Sequence, residues 1–479
     1  MSLDSPKQIV SVAVIGPVDS GKSTTMGRLV FDCGKGAVID PRTIERYHQL
    51  VLQQRQTANN NNHNNHQDET IASCQQYAWI LDTKQTERDR LTSVDLSLQH
   101  FVTPQNSYLY TVIDTPGHSD FVKNMIAGIA QADVALMVLD GRPGVFEAHM
   151  VGPTFGRNSG GSPNIQGGPI QEQLLLAHAM GVPQLIIAIN KMDDDSIQYS
   201  QERFDTIRKE LIPYLTHVGY TDTSKIHFVP ISAYQGNNLM TTNDSPMDWY
   251  TGKSLLELFD TEITIPERLV DLPFRMPIQD VYKIGGVGTV AVGRVETGTI
   301  RTGMKVQFSP SNLIRPIRSM ERHRDEMEQA FPGDNVGLNI KDVTLRDLHR
   351  GDVISNANDR PACTVRSFDA QVTLVNHPGQ IQDGYCPAIH VHTKHVSCRF
   401  TKIHRTIDKT TGEVLEEDPE YVEEGDTFLV TLEPTKPVCV ETFAEFPPLG
   451  RFVVRDMRRT VGFGVIQSVV KADPVEPAK

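Results

Sequence analysis

Apolar residues in roughly the first half of the chain fall into short, nearly continuous runs, with stretches of helical period between them. The runs IVSVAVI (9–15), YLYTVIDT (108–115), VALMVLD (134–140), QLIIAIN (184–190) and IHFVPIS (226–232) have strand length and are rich in β-branched residues. Such runs predict strands buried on both faces. Helical spacing of apolar positions recurs at 121–131, 170–180 and 201–215. Strand–helix alternation predicts a mainly parallel, doubly wound α/β sheet, which presents ligands at the carboxyl ends of its strands. After Pro273 the texture changes. Short β-runs (MPIQDVYKI, GTVAVGRVE, KVQFS, NVGLNI, then FDAQVTLV, IHVHTKHV, TFLVTLE and GRFVVRD) alternate with Gly, Asn and Pro turns. Regular short strands predict two small all-β barrels, with a break near Arg360 and Pro361. The expected domains are 1–265, 272–361 and 364–473.

Two inserts interrupt the first domain, near 56–70 and 151–170. The first holds NNNNHNNH, a polar low-complexity run expected to be a solvated loop. The second is rich in Gly, Ser and Pro and reads as a long surface loop. At 479 residues, 39% hydrophobic and 22% charged, the chain has the composition of a soluble globular protein. No apolar run approaches the roughly 18 residues of a membrane span, and the polar first residues do not read as a leader. Six cysteines without a C-x-x-C pair argue for a reducing compartment. Cys386, His390, His392, His395 and Cys398 could be grouped as zinc ligands, but the interleaved Ile389, Val391 and Val396 make strand alternation the better explanation. The formal charge of −13 means that any RNA must be held by a local basic patch.

Four strand ends carry chemistry. The first opens into Gly16-Pro17-Val18-Asp19-Ser20-Gly21-Lys22-Ser23-Thr24, which is G-x-x-x-x-G-K-[ST] between a strand and a helix. Its glycines let backbone N–H groups close around phosphate, Lys22 reaches the β and γ phosphates, and the Ser23 hydroxyl suits Mg²⁺. The second ends in Asp114-Thr115-Pro116-Gly117-His118. Asp114 is placed to hold Mg²⁺ through water, Gly117 to offer its N–H to a γ-phosphate, and His118 to point at an attacking water. The fourth of the core runs ends in Asn190-Lys191-Met192-Asp193. The Asp193 carboxylate can accept both N1–H and N2–H of guanine, Asn190 can bond the base and tie loops together, and the Lys191 stem can cover the ring. The last ends in Ser232-Ala233-Tyr234, whose backbone suits the guanine carbonyl. GTP in preference to ATP follows, with GTP and GDP as the exchanging ligands.

These motifs, with GPVDSGKSTTMGRL, YAWILDTKQTERDR, DTPGHSDFVKNMIAGIAQAD, QDVYKIGGVGTVAVGRVETG, PGDNVGLNI, LVNHPGQI and PPLGRFVVRDMRRTVGFGVI, resemble the elongation factor 1 alpha family of translational GTPases, including its elongation factor-like branch. The similarity covers nearly the whole chain. It implies a GTP-binding domain and two barrels that deliver aminoacyl-tRNA to the ribosomal A site and release it on ribosome-stimulated GTP hydrolysis. Carried over, Gly16, Asp19, Ser20, Gly21, Lys22, Ser23 and Thr24 bind phosphates, with Gly117 at the γ position. Ser23, Ser93 and Asp114 serve Mg²⁺, while His118, Asp114 and Lys22 form the catalytic set. Asn190, Lys191, Met192, Asp193, Ser232, Ala233 and Tyr234 form the guanine loops. The resemblance further implies a cytoplasmic, monomeric protein with an exchange factor and no membrane partner.

The chain departs from the family pattern in places. Pro17 stands where the family usually has His, as in the elongation factor-like branch. In the first switch the family reads R-G-I-T, and here the stretch is Arg90-Leu91-Thr92-Ser93, in which Ser93 keeps a hydroxyl. The usual lysine-rich C-terminus is absent. Two basic groups, Lys402, His404 and Arg405, then Arg451, Arg455, Arg458 and Arg459, are the candidates for RNA phosphate contact. Arg294-Val295-Glu296 follows the family pattern near the tRNA acceptor end. Three alternatives stay open: a termination or ribosome-rescue GTPase, the GTPase subunit of sulfate adenylyltransferase, and a non-catalytic paralogue.

Overall fold

The computed structural model describes residues 8–34, 40–58, 74–82, 87–88, 93, 95–103, 108–151, 154–157, 163–165, 167–322, 325–409 and 411–472. The Asn-rich run at 59–66 and the switch residues Arg90, Leu91 and Thr92 lie outside them. The chain divides into two compact units, one of Met1–His178 with Val182–Ile265, the other of Ala179–Gly181 with Pro266–Lys479. Both barrels thus belong to one unit.

The first unit is built on β1 (Gln8–Ile15), β2 (Ser97–Val102), β3 (Tyr108–Asp114), β4 (Val134–Asp140), a separate pair β5 (Thr154–Arg157) and β6 (Pro163–Ile165), then β7 (Gln184–Asn190) and β8 (Ile226–Pro230). The main sheet runs β2-β3-β1-β4-β7-β8, parallel throughout except for the antiparallel edge strand β2. Its helices are α1 (Lys22–Gly34), α2 (Pro41–Ala58), α3 (74–81), α4 (Val122–Ile129), α5 (Val145–Val151), α6 (Pro169–Ala179), α7 (Gln201–Val218) and α8 (Leu255–Thr261). Every residue of β4 and β7 is buried, which is why their sequences read as unbroken apolar runs. On one face Val10, Val12 and Val14 of β1 and Leu136 and Val138 of β4 pack on Met26, Leu29 and Val30 of α1 and on Phe259 of α8. Each such side chain contributes about 1.5–3 kcal/mol of transfer energy.

Two expectations need correction. Strand β2, SLQHFV, is absent from the predicted strands. It is an edge strand of mostly intermediate burial, so its sequence has no apolar run to announce it. The Gly/Ser/Pro insert is not wholly loop, because β5 and β6 pair antiparallel within it through backbone hydrogen bonds that need no apolar side chains.

In the second unit each barrel closes on six strands. The first uses Arg275–Ile284, Gly288–Arg294, Lys305–Ser309, Leu313–Arg322, Asn335–Ile340 and Val353–Asn356, and the Lys305–Ser309 to Leu313–Arg322 pairing closes it. The second uses Val365–Leu374, Ala388–Val391, Lys394–Ile407, Thr427–Pro434, Arg451–Asp456 and Arg459–Lys471, closed between Ala388–Val391 and Lys394–Ile407. Alternation sets the interior: Phe368, Ala370, Val372 and Leu374 point inward from one strand. Buried polar contacts join the barrels. Arg275 donates to Glu441 at 2.8 Å with its guanidinium over Phe446, and Lys394 reaches Asp352 at 3.0 Å.

Candidate functional site

At the carboxyl ends of β1, β3, β4 and β7 a cavity of about 690 Å³ opens. Val18, Asp19, Gly21, Lys22, Ser23 and Thr24 wall it from the first loop, Gly117 and His118 from the second. Asn190, Lys191, Asp193, Ala233 and Tyr234, from the loops expected to meet guanine, also line it. Helix α1 starts at Lys22, so its first N–H groups and the positive end of its dipole face this space.

Lys22 is 7% exposed and donates to Gly16 O at 2.8 Å and Pro17 O at 2.7 Å. Burial lowers its pKa to about 8 despite the nearby Asp114, Asp19 and Asp82, so a phosphate beside it would restore the charge that burial opposes. Gly117 lies against this lysine: a Cβ there would come 2.5 Å from Lys22 Nζ and 2.9 Å from Gly16 O. Any side chain at that position would invade the space the ammonium occupies.

Not every expected residue lines the cavity. The Ser20 hydroxyl turns to Pro17 O at 3.0 Å and stiffens the loop from behind. Met192 is a fully buried core residue whose backbone donates to Ile231 O. The Ser232 hydroxyl accepts from Gln235 N and shapes its own turn. Asn190 is committed at both ends of its amide, donating to Ser20 O at 2.8 Å and accepting from Ala233 N at 2.9 Å. Its side chain ties the phosphate loop to the last loop, while Asp193 lines the cavity beside it.

Four oxygen-bearing side chains, Ser23, Ser93, Asp82 and Asp114, gather at one side of the cavity. Ser23 donates to Asp114 Oδ2 at 2.7 Å and lies 3.3 Å from the Ser93 hydroxyl, which donates to Asp82 Oδ1 at 2.8 Å. Burial raises the Asp114 carboxyl to about 6, and burial together with Asp114 raises Asp82 to about 7. Asp114 Oδ1 is buried without a hydrogen-bond partner. An all-oxygen set with an orphaned carboxylate oxygen suits a hard cation such as Mg²⁺. Asp82 was not foreseen, although its place directly after the apolar run YAWIL was a usable signal.

Two further groups escaped the sequence. Asp140 ends β4 and accepts from Arg142 Nη2 and Lys191 Nζ, both at 2.7 Å, while Lys191 also donates to Asp19 O. These bonds hold Lys191 at φ 65° and oppose the strain of that left-handed backbone. Arg28 of α1 donates to the Ala233, Tyr234 and Gln235 carbonyls, fixing the last loop. His118 is half exposed at the rim, and its Nδ1 accepts from Asp120 N at 3.2 Å. That bond leaves Nε2 as the ring atom available to a water.

Residues expected to meet RNA are arranged differently from the sequence picture. Arg294 and Glu296 are buried, and Glu296 Oε1 lies 3.0 Å from His392 Nε2 of the other barrel. Lys402 pairs with Asp418 and Arg405 with Glu417. Arg451 stacks on Phe443, and Arg455 donates to Arg458 O, on a strand that does not pair with that of Lys402. The side chains of the cysteine–histidine grouping do not gather into a ligand set. Among the described residues no cluster of metal-ligating side chains of that kind occurs. His390 and His395 stack across two strands, and Cys398 is buried with its thiol pushed up to about 12 by burial.

A phosphate loop, a D-x-P-G-H loop and guanine-facing loops on a doubly wound sheet, followed by two closed barrels, define a GTPase of the translational class. The family model for the elongation factor Tu GTP-binding domain matches residues 7–265, elongation factor Tu domain 2 matches 288–355, and the GTP-eEF1A C-terminal domain-like model matches 367–467. Elongation factor 1-alpha of Tetrahymena pyriformis is 45% identical over 97% of this chain and 98% of that one. That of Entamoeba histolytica is 46% identical over 97% and 96%. Among solved structures, the GTP-bound Ski7 GTPase-like domain of S. cerevisiae superposes with a TM-score of 0.74 over 96% of this chain and 97% of that one, at 17% identity. The elongation factor SelB of Methanococcus maripaludis gives 0.63 over 97% and 80%, also at 17% identity. These two share the fold. The chain belongs to the elongation factor Tu/1-alpha family and is a GTPase of polypeptide elongation.

Proposed function

We propose that the chain delivers aminoacyl-tRNA to the ribosomal A site as a GTP complex and releases it when GTP is hydrolysed. The observation that carries this reading is the meeting of four loops on one cavity in a chain whose likeness to elongation factors 1-alpha runs through both barrels. Gly21 to Thr24 and Lys22 hold the phosphates, and the Gly117 N–H meets the γ-phosphate. Asp193 accepts from the guanine edge, with the Lys191 stem over the ring and the Asn190 amide locking the loops around it. Ser23, Ser93, Asp114 and the added Asp82 would hold Mg²⁺, which when bound neutralises phosphate charge. His118 orients the hydrolytic water through Nε2. Positioning and charge stabilisation do nearly all the catalytic work in such a site.

The same reading makes aminoacyl-tRNA and the ribosome the partners, adds a guanine-nucleotide exchange factor, and treats the protein as a cytoplasmic monomer. Among the described residues no helix is long and apolar enough to cross a membrane. Single-turnover GTP hydrolysis with and without programmed ribosomes tests the proposal. A rise of several orders of magnitude on ribosome addition is expected, and an unchanged rate would leave a non-catalytic paralogue as the better description.

A further inference from the structure

Gly16 is the hinge between β1 and the phosphate loop, and its peptide lies beyond the sheet ladder, which ends at Ile15. Its φ is 145°, and a Cβ there would come 2.2 Å from Val138 O, so only glycine fits. The next residue, Pro17, has no N–H. The loop therefore enters the site with one buried backbone donor, the Gly16 N–H, and two carbonyls that both face Lys22.

That donor and one of the carbonyls are bonded by a single side chain. Gln173 of α6, 2% exposed, accepts from Gly16 N at 2.5 Å through Oε1 and donates to Gly16 O at 3.2 Å through Nε2. Gly16 O also accepts from Lys22 Nζ at 2.8 Å. The amide thus fixes the carbonyl on which the phosphate-binding ammonium rests. Both heteroatoms of the amide are used, the oxygen as acceptor and the nitrogen as donor, so a side chain that lacks either function loses a bond to the Gly16 peptide.

We propose that Gln173 is a positioning residue of the nucleotide site. Its amide holds the Gly16 peptide so that Lys22 is presented to the β and γ phosphates, and it connects helix α6 directly to the phosphate loop. The proposal rests on the reading that this cavity holds GTP and GDP. It adds that retention of the phosphates depends on a residue that does not touch them.

The test is release of a fluorescent GDP analogue from the full chain, comparing the parent, Gln173→Met and Gln173→Glu at pH 8 and pH 6. Thermal melting of each variant accompanies the kinetics. Gln173→Met keeps the volume and removes both bonds, and release is expected to quicken about ten-fold, the order for one buried hydrogen bond left unmade. In the Gln173→Glu variant an ionised carboxylate accepts from Gly16 N but repels Gly16 O, so release is equally fast at pH 8. Burial favours the protonated carboxyl, which restores the donor, and release relative to the parent slows again at pH 6. Competition between guanine and xanthine nucleotides is expected to be the same in all three proteins, because the base loops are untouched. Folded variants that release GDP at the parent rate, or a Gln173→Glu effect identical at both pH values, would overturn the proposal and reduce Gln173 to a packing residue. Should Gln173→Met fail to fold, the pH comparison in Gln173→Glu decides alone. A parent chain that binds no GDP would instead refute the nucleotide reading itself.

Discussion

Ser93 donates its hydroxyl proton to Asp82 Oδ1 at 2.8 Å and so brings the altered first switch into contact with a second carboxylate beside Ser23 and Asp114. Serine in this place keeps a hydroxyl that the proposed Mg²⁺ site can use. The Asp82 backbone is itself held from behind, since Arg88 donates to its carbonyl at 2.8 Å while its guanidinium lies against the rings of both Tyr47 and Trp79.

Removing the Ser93 hydroxyl is expected to weaken the response to Mg²⁺ and to spare the guanine contacts. In Ser93→Ala the Mg²⁺ concentration for half-maximal GTP retention should rise about ten-fold, the usual scale for a lost group around a metal. Ser93→Thr should restore it. Superimposable Mg²⁺ titrations for parent and Ser93→Ala would remove Ser93 from the site.

His118→Ala is expected to leave GTP affinity almost unchanged, because the ring sits at the rim and holds no phosphate-loop residue. Ribosome-stimulated hydrolysis should fall by about 10³ or more, as for other groups that position charge in a transition state. Equal single-turnover rates would show that another group orients the water.

Asp193→Asn replaces an acceptor pair with a donor and an acceptor, so preference should move from GTP toward xanthosine triphosphate. Competition binding measures it directly, and an unchanged preference would refute the guanine assignment.

Asp140 gives a prediction in pH. Burial pushes its carboxyl up, but the hydrogen bonds from Arg142 and Lys191 outweigh that and hold it below the ordinary value. A depressed folded pKa means stability that is present above the unfolded value, about 4, and lost as pH falls through the folded one. Asp140→Asn should therefore cost about 1–3 kcal/mol at neutral pH, less than a fully buried pair because both cations are partly exposed. The difference in melting temperature between parent and variant should begin to narrow as pH falls below about 4. A gap that is the same at pH 3 and pH 7 would show that Asp140 acts through packing alone.

How much of this was legible in the sequence follows from what each residue does. Strands β1, β3, β4 and β7 were readable because burial on both faces leaves nearly unbroken apolar runs, and edge strand β8 because Ile226, Phe228 and Val229 still make a short apolar run. The loops at their ends were readable because phosphate and guanine chemistry restricts residue types at fixed spacing. Edge strand β2 was not, since among the described residues it pairs on one side only, and apart from the buried Phe101 its side chains are only partly buried. Asp140 was visible as the last residue of VALMVLD and went unassigned, because its partners Arg142 and Lys191 come together only in the fold. Gln173 and Arg28 carry no sequence signal: each acts on backbone atoms far along the chain, and such partners leave no spacing to read. For the barrels, alternation announced strands but could not show that Arg294 pairs with Glu296, that Glu296 faces His392, and that both are shielded from solvent.

The measurement closest to the central claim is binding of the purified chain to aminoacyl-tRNA and to deacylated tRNA, each with GTP and with GDP. Delivery during elongation predicts tight binding for the GTP-bound, aminoacylated combination, and binding weaker by at least ten-fold for the other three. Equal affinity in all four combinations would contradict it, whatever the rate at which the chain hydrolyses GTP.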